Sequence, residues 1–243
     1  MRRFFPLFGF LILLLSTSPA WARATAASVQ FYYPVVDDSR YFSLYSSQTF
    51  QPLQFRFGFG MNYARRPAEI GIGGTRRLGL VDNLVMGDFF GSLGVLDWLQ
   101  LGLDIPVAFL VDVNDIATAT SSRSFAMGDI RFLMKGRLLN IDRHSVGVSL
   151  LPSIHFPTGS GSKFVGNNSF SGGADVIVDV DIKQRVQIAT NLGYHTRDRT
   201  TVNQSGLSFN TIQDDTFNFG LGVNWSIKDW VELVGEFTGS TLT

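Results

Sequence analysis

The chain carries three histidines and no cysteine, so nucleophilic and metal chemistry have few places to arise. Ser153 and His155 stand two residues apart in SIHF, on one face of what reads as a strand. A serine activated by a histidine also needs a group that orients the imidazole. No nucleophile elbow and no positioned third residue accompany this pair, and hydrolysis is not expected. His155, His195 and an aspartate could in principle hold a metal, but two histidines on separate strands more often hydrogen-bond within an interior. Asp175, Asp179 and Asp181 in DVIVDVDI (175–182) lack the glycine and loop spacing of a calcium site. The stretch GSGSKFVGNNSFSGG (159–173) is glycine-rich but precedes no helix signal, so it cannot be read as a phosphate cradle. The expectation is a protein that is not an enzyme, with no cofactor and no metal.

The elements that hold these residues are strands. LQFRFGFGMNY (53–63) alternates apolar and small or polar positions throughout, as side chains do when they point to opposite faces of a sheet. The same alternation recurs in segments beginning near Leu99, Ile130, Val146, Ala174, Val186 and Phe217, and less cleanly over Leu84–Val95 and Val231–Phe237. Nine strands are therefore expected. Their connections alternate between short turns (Leu96–Trp98, Asn140–His144, Lys183–Arg185, Lys228–Trp230) and longer polar loops (Ala64–Gly79, Asn114–Ala126, Pro157–Ser171, Arg197–Asp214). An up-and-down meander whose two ends face different compartments has this order, with short periplasmic turns and long outer loops. A strand of 63 − 53 + 1 = 11 residues, at ~3.3 Å per residue and tilted by roughly 40°, spans about 28 Å, close to the apolar band of such barrels.

Composition points the same way. Charged residues make up 16% of the chain against roughly 25% in soluble domains, so Gly, Ser, Asn and Gln fill the polar face. A lipocalin-like barrel or soluble sandwich would need its charges outside, where few are available. The formal charge of zero gives no sign of a nucleic-acid partner. At the N-terminus, Arg2 and Arg3, the apolar run Phe4–Leu15, Pro19 and Ala20-Trp21-Ala22 form an export signal, cleaved after residue 22. Residues 23–52 are then expected as a periplasmic segment, and 53–243 as an antiparallel up-and-down transmembrane β-barrel.

If the apolar faces meet lipid, Arg56, Asp88, Asp104, Asp129, Arg131, Lys135, Arg137, His155, Asp175, Asp179, Asp181, His195, Glu232 and Glu236 line the lumen. They could pair and fill it, or tune a narrow aqueous path. Inward glycines such as Gly58, Gly102, Gly147, Gly193 and Gly220 leave volume for water, or allow tight curvature. Aromatic residues gather near strand ends, as interfacial girdles do: Trp98, Trp225 and Trp230 on the short-turn side; Tyr63, Phe109, Phe156, Tyr194 and Phe217 on the long-loop side.

The segments NYARRP (62–67), LGVLDWLQLGLDIPV (93–107), GDIRFLMKGRLL (128–139), SLLPSIHFPTGSG (149–161) and ATNLGYHTRD (189–198) occur together and in this order. With them the chain resembles the N-terminal barrel of bacterial proteins of the OmpA family. It is also similar to outer-membrane channels associated with phenol-degradation operons. The resemblance implies an outer-membrane barrel with lipid and the barrel-insertion machinery as partners, and no catalytic residue. It leaves two functions open. One is a passive pore for small solutes. The other is a structural barrel anchoring a peptidoglycan-binding domain that this chain does not include. Nine strands are an odd number for a closed barrel, so 10–12 strands are expected when complete, with the C-terminal ones missing. Phe31–Leu44 is the alternative source of a tenth strand.

Overall fold

The computed structural model describes residues 28–72, 76–115, 120–167, 169–183, 185–198, 202–204, 207–209, 214–228 and 230–242. The expected signal peptide lies outside the described residues. The strands are β1 (Phe55–Ile72), β2 (Arg76–Leu96), β3 (Leu99–Asp115), β4 (Thr120–Met127), β5 (Ile130–Leu139), β6 (Val146–Phe156), β7 (Ser171–Ile182), β8 (Val186–Thr196), β9 (Val202–Gln204), β10 (Leu207–Phe209), β11 (Thr216–Lys228) and β12 (Val231–Leu242).

Nine of them form an antiparallel meander in the order β1-β2-β3-β5-β6-β7-β8-β11-β12, with β4 paired to the outer part of β3. The sheet curls into a half-barrel. Among the described residues β1 pairs only with β2 and β12 only with β11, so the curl does not close on itself. No helix of the described residues is long and apolar enough to cross a membrane.

The short connections fall where the sequence puts them. That between β5 and β6 is a one-turn helix, Ile141–His144, capped by Asn140, whose side chain accepts from the Asp142 N–H at 2.9 Å. The long connections differ from expectation. Much of Ala64–Gly79 and Asn114–Ala126, read as loops, is an outward continuation of the β1–β2 and β3–β4 hairpins. Alternation fades there because the pairing is irregular, between Arg65 and Glu69 in β1 and between Ala108 and Val111 in β3.

One face assignment is corrected. Val111 and Val113 share the alternation of Leu99–Phe109, which would put them on the lipid side. Irregularities in the β2–β3 pairing between Val81 and Leu84 and between Val85 and Met86, and in the β3–β4 pairing between Ala108 and Val111, shift the pattern by one. A slip of one residue turns every later side chain to the other face. Val111 is fully buried with Leu84, Met86, Ala108, Phe164 and Val165, and Val113 packs against that cluster.

The convex face is apolar and open. Phe55, Phe57, Phe59, Met61, Leu103, Val176, Leu192, Leu221 and Phe237 are among many large exposed hydrophobics. A continuous surface of this kind is far beyond what a monomer shows to water. It fits contact with acyl chains.

The concave face is covered by residues 28–52, which contain no helix or strand. Expected to precede the barrel, this segment instead runs along the inside of the curl. The alternative of a tenth strand over Phe31–Leu44 is likewise not found.

Candidate functional site in the lumen

An irregular segment buried inside a sheet brings backbone N–H and C=O groups that no ladder satisfies, and each must find a partner. The inward polar residues supply them. Near the long-loop end the Val29 N–H donates to Phe164 O at 3.0 Å, and Gln30 Nε2 donates to Asp88 at 2.8 Å. Arg131 Nη2 donates to Pro34 O at 2.9 Å, and Ser92 Oγ to Val36 O at 2.8 Å. Farther along, the Asn191 amide treats Tyr45 as a strand neighbour would. It accepts the Tyr45 N–H at 2.8 Å and donates to Tyr45 O at 2.9 Å. Asp179 accepts the Ser47 N–H at 3.0 Å, and Gln100 accepts the Phe50 N–H at 3.0 Å.

Charge is matched as well. Lys135 is buried against the Asp37 carboxylate, both side chains being 2% exposed, and it also donates to Ser46 O at 3.1 Å. Arg131 pairs with Asp104 at 3.0 Å, the latter fully buried. Arg56 donates to Asp37 O at 2.7 Å and Asp38 at 2.8 Å. At the far edge Glu232 meets Arg40 at 3.1 Å, and Glu236 accepts the Ser43 N–H at 3.0 Å. The segment is thereby tied to β1, β2, β3, β5, β7, β8 and β12.

Two inward glycines owe their identity to this packing. A Cβ at Gly147 would lie 1.9 Å from Ser47 Oγ, and one at Gly220 would lie 2.2 Å from Leu44 Cδ2. The space they leave is occupied by the segment.

Of the other residues read from the sequence, Asp129 accepts N–H groups of Gly159 at 2.9 Å and Asn167 at 2.6 Å, which folds the β6–β7 loop over the mouth. Arg137 donates to Asp97 O at 2.7 Å and borders a small recess of about 220 Å3 at the short-turn end. Asp181 stands opposite Gln187 near that end. His195 and Asp175 are 3.0 Å apart. His155 meets the Tyr33 ring edge-on, with centroids 5.5 Å apart. Tyr63, Trp98, Phe109, Phe156, Tyr194, Phe217, Trp225 and Trp230 are all exposed.

Between the segment and the strands lies a cavity of about 810 Å3, bordered among others by Tyr33, Tyr45, Arg131, Ser153, His155 and His195. Tyr33, Asp37, Tyr45, Ser47, Gln100 and Asn191 were not singled out from the sequence. The signal available was the tyrosine- and serine-rich run YYPVVDDSRYFSLYSS (32–47), whose apolar and acidic residues suit an interior better than a linker. No group of three or more His, Asp or Glu side chains among the described residues is arranged to hold a metal.

No curated protein matches the chain. A family described as "Putative MetA-pathway of phenol degradation" matches residues 68–242, from the β1–β2 hairpin to the end of β12. The half-barrel and this match together fit an outer-membrane location and a transport role associated with phenol degradation. The chain belongs to that family, and the matched region covers the sheet from the outer end of β1 onward.

Proposed function

We propose that this chain is a passive outer-membrane channel for small solutes, with residues 28–52 occupying its lumen as a plug that conducting states displace. The observation that carries the reading is the cavity of about 810 Å3 between that segment and the polar concave face. A barrel serving only as a wall anchor has no use for such a space. The segment is held by hydrogen bonds, by ion pairs and by the packing of Val35, Val36, Tyr41, Leu44 and Tyr45 on the sheet, a specific set of contacts that conducting states break. Export through a cleaved signal, insertion by the barrel machinery and contact with lipid complete the reading. The chain acts by binding and passage, not by catalysis.

Planar-bilayer recording of the purified protein tests this. Small, discrete conductance steps that grow when residues 28–52 are deleted are the expected result. Absence of steps in both proteins at every voltage removes the channel reading and favours a structural barrel.

A further inference from the structure

Residues packed on the concave side fix what the outer ends of β1–β4 turn to the other side. Ala64, Leu84, Val111, Val113 and Ala126 belong to, or pack against, one buried cluster. Side chains alternate along a strand, so Arg65, Asn83, Asp112, Arg123 and Phe125 point to the convex face.

The polar members form one belt across four strands. Arg65 is the register partner of Asn83, and Asp112 that of Arg123. The Tyr63 hydroxyl donates to Asn83 Oδ1 at 2.7 Å, and Asn83 Nδ2 donates to Asp112 at 2.8 Å. Arg123 Nε meets the same carboxylate at 2.9 Å, and the Arg123 side chain is still 77% exposed. Arg65 is exposed at the other end, and no side chain among the described residues forms an ion pair with it. Lys163 joins the Arg123 end by donating to Phe125 O at 2.8 Å. Arg66 and Asp82 answer one another at 3.8 Å. Asp112 thus faces Arg65, Arg123 and Lys163, and the belt is positive.

An aromatic shelf lies nearer the bilayer centre. Phe89, Phe59, Phe109 and Phe125 follow one another with ring centroids 4.8, 6.3 and 6.4 Å apart. Gly87 leaves room for the middle two, since a Cβ there would lie 2.3 Å from Phe109 and 2.9 Å from Phe59. All four residues are between 43% and 61% exposed.

Shelf and belt match the two ends of a lipid. Rings at this depth meet acyl chains, and the cost of an arginine falls away towards the interface, where headgroups lie. A guanidinium binds phosphate through two parallel N–H···O bonds. Arg65 and Arg123 stand three strands apart, about 14 Å by strand spacing. A headgroup with a phosphate at each end can meet both at once.

We propose that the outer convex face of β1–β4 binds a membrane lipid with a diphosphorylated headgroup, in the leaflet on the long-loop side. Its phosphates pair with Arg65 and Arg123, and its chains lie across the phenylalanine shelf. The inference rests on lipid contact of the convex face and holds whether or not the chain conducts.

Native mass spectrometry of the full chain tests the belt with diphosphoryl lipid A, monophosphoryl lipid A and phosphatidylcholine as probes. One diphosphoryl lipid A per chain is expected, held about fivefold more tightly than the monophosphoryl form, with phosphatidylcholine weakest. Arg65→Gln with Arg123→Gln should weaken it about thirtyfold, and Phe125→Ala about fivefold. Arg143→Gln with Lys183→Gln, which removes two exposed charges at the short-turn end, should leave it unchanged. Strand content by circular dichroism verifies each variant's fold. Three results overturn the proposal: diphosphoryl lipid A held no more tightly than phosphatidylcholine, the monophosphoryl form binding as tightly as the diphosphoryl one, or equal losses in the two double variants. If Phe57→Arg still lowers the urea midpoint in vesicles, such a result removes the belt alone. An unchanged midpoint removes lipid contact of the convex face with it.

Discussion

Asp37→Asn tests how the segment is held. The substitution keeps the shape of the side chain and removes the charge that faces Lys135. Both groups are 2% exposed, so solvent screening does not soften the loss. Removing one partner of a buried pair costs roughly 3–5 kcal/mol, because the remaining charge stays desolvated. Ser46 O still accepts from Lys135 at 3.1 Å, which places the effect at the low end of that range. About 3 kcal/mol corresponds to roughly 150-fold in the balance between inserted and released segment. The chain has no cysteine, so a reporter can be placed cleanly. Ser47→Cys is a near-isosteric change at a fully buried position whose N–H is held by Asp179. Its rate of reaction with a water-soluble thiol reagent follows the released fraction. We expect Asp37→Asn to raise that rate about 150-fold, and adding Lys135→Met to reverse most of the rise by removing the stranded charge. A rate within threefold of the parent in Asp37→Asn, or no reversal in the double variant, would refute the reasoning.

Gly147→Val places side-chain atoms where Ser47 Oγ and Asp179 Oδ1 now lie, at 1.9 and 2.3 Å from a Cβ. It should dislodge the middle of the segment and raise bilayer conductance while β6–β7 pairing persists in infrared spectra. Phe57 is 80% exposed on the convex face. Phe57→Arg should cost about 2–4 kcal/mol of insertion stability near the bilayer midplane, read as a lower urea midpoint in vesicles; an unchanged midpoint would argue against lipid on that side. Burial raises the phenols of Tyr33, to about 12, and of Tyr41 and Tyr45. A raised pKa means that the inserted segment has its full stability below pH 10 and loses it as pH climbs through 12. Reactivity of the Ser47→Cys reporter, corrected for thiolate fraction, should therefore rise between pH 10 and 12, and a flat profile would contradict the burial of these rings.

The strands were legible because alternation reports directly on a two-sided environment. Leu53–Tyr63 could be assigned as a strand with one lipid-type face, since no soluble sheet leaves Phe55, Phe57 and Phe59 outward. The meander order followed from alternating loop lengths, which chain connectivity imposes locally. Val111 shows where this reading stops. A bulge moves it from one face to the other, and nothing in the residue types around Phe109 announces the slip. Gly147 and Gly220 were visible as gaps, but whether water, curvature or another segment fills a gap depends on what lies across the lumen.

The candidate site divides along the same line. Asp88, Asp104, Arg131, Lys135 and Asp179 stood out as charges on the polar side of strands. Their partners in the inner segment did not, because those partners come from sequence separations of 58 to 132 residues. The sequence by itself determined the strand grammar, the two chemically distinct faces and the scarcity of catalytic groups, all of which are properties of residue type at short spacing. Only the tertiary structure decided that Phe31 to Phe50 turns inward, that Asp37 neutralises Lys135, and that a cavity forms beside Arg131 and Ser153. The physical reason is that an irregular segment has no periodicity of its own, and its place is set by the unpaired polar groups of the sheet that receives it.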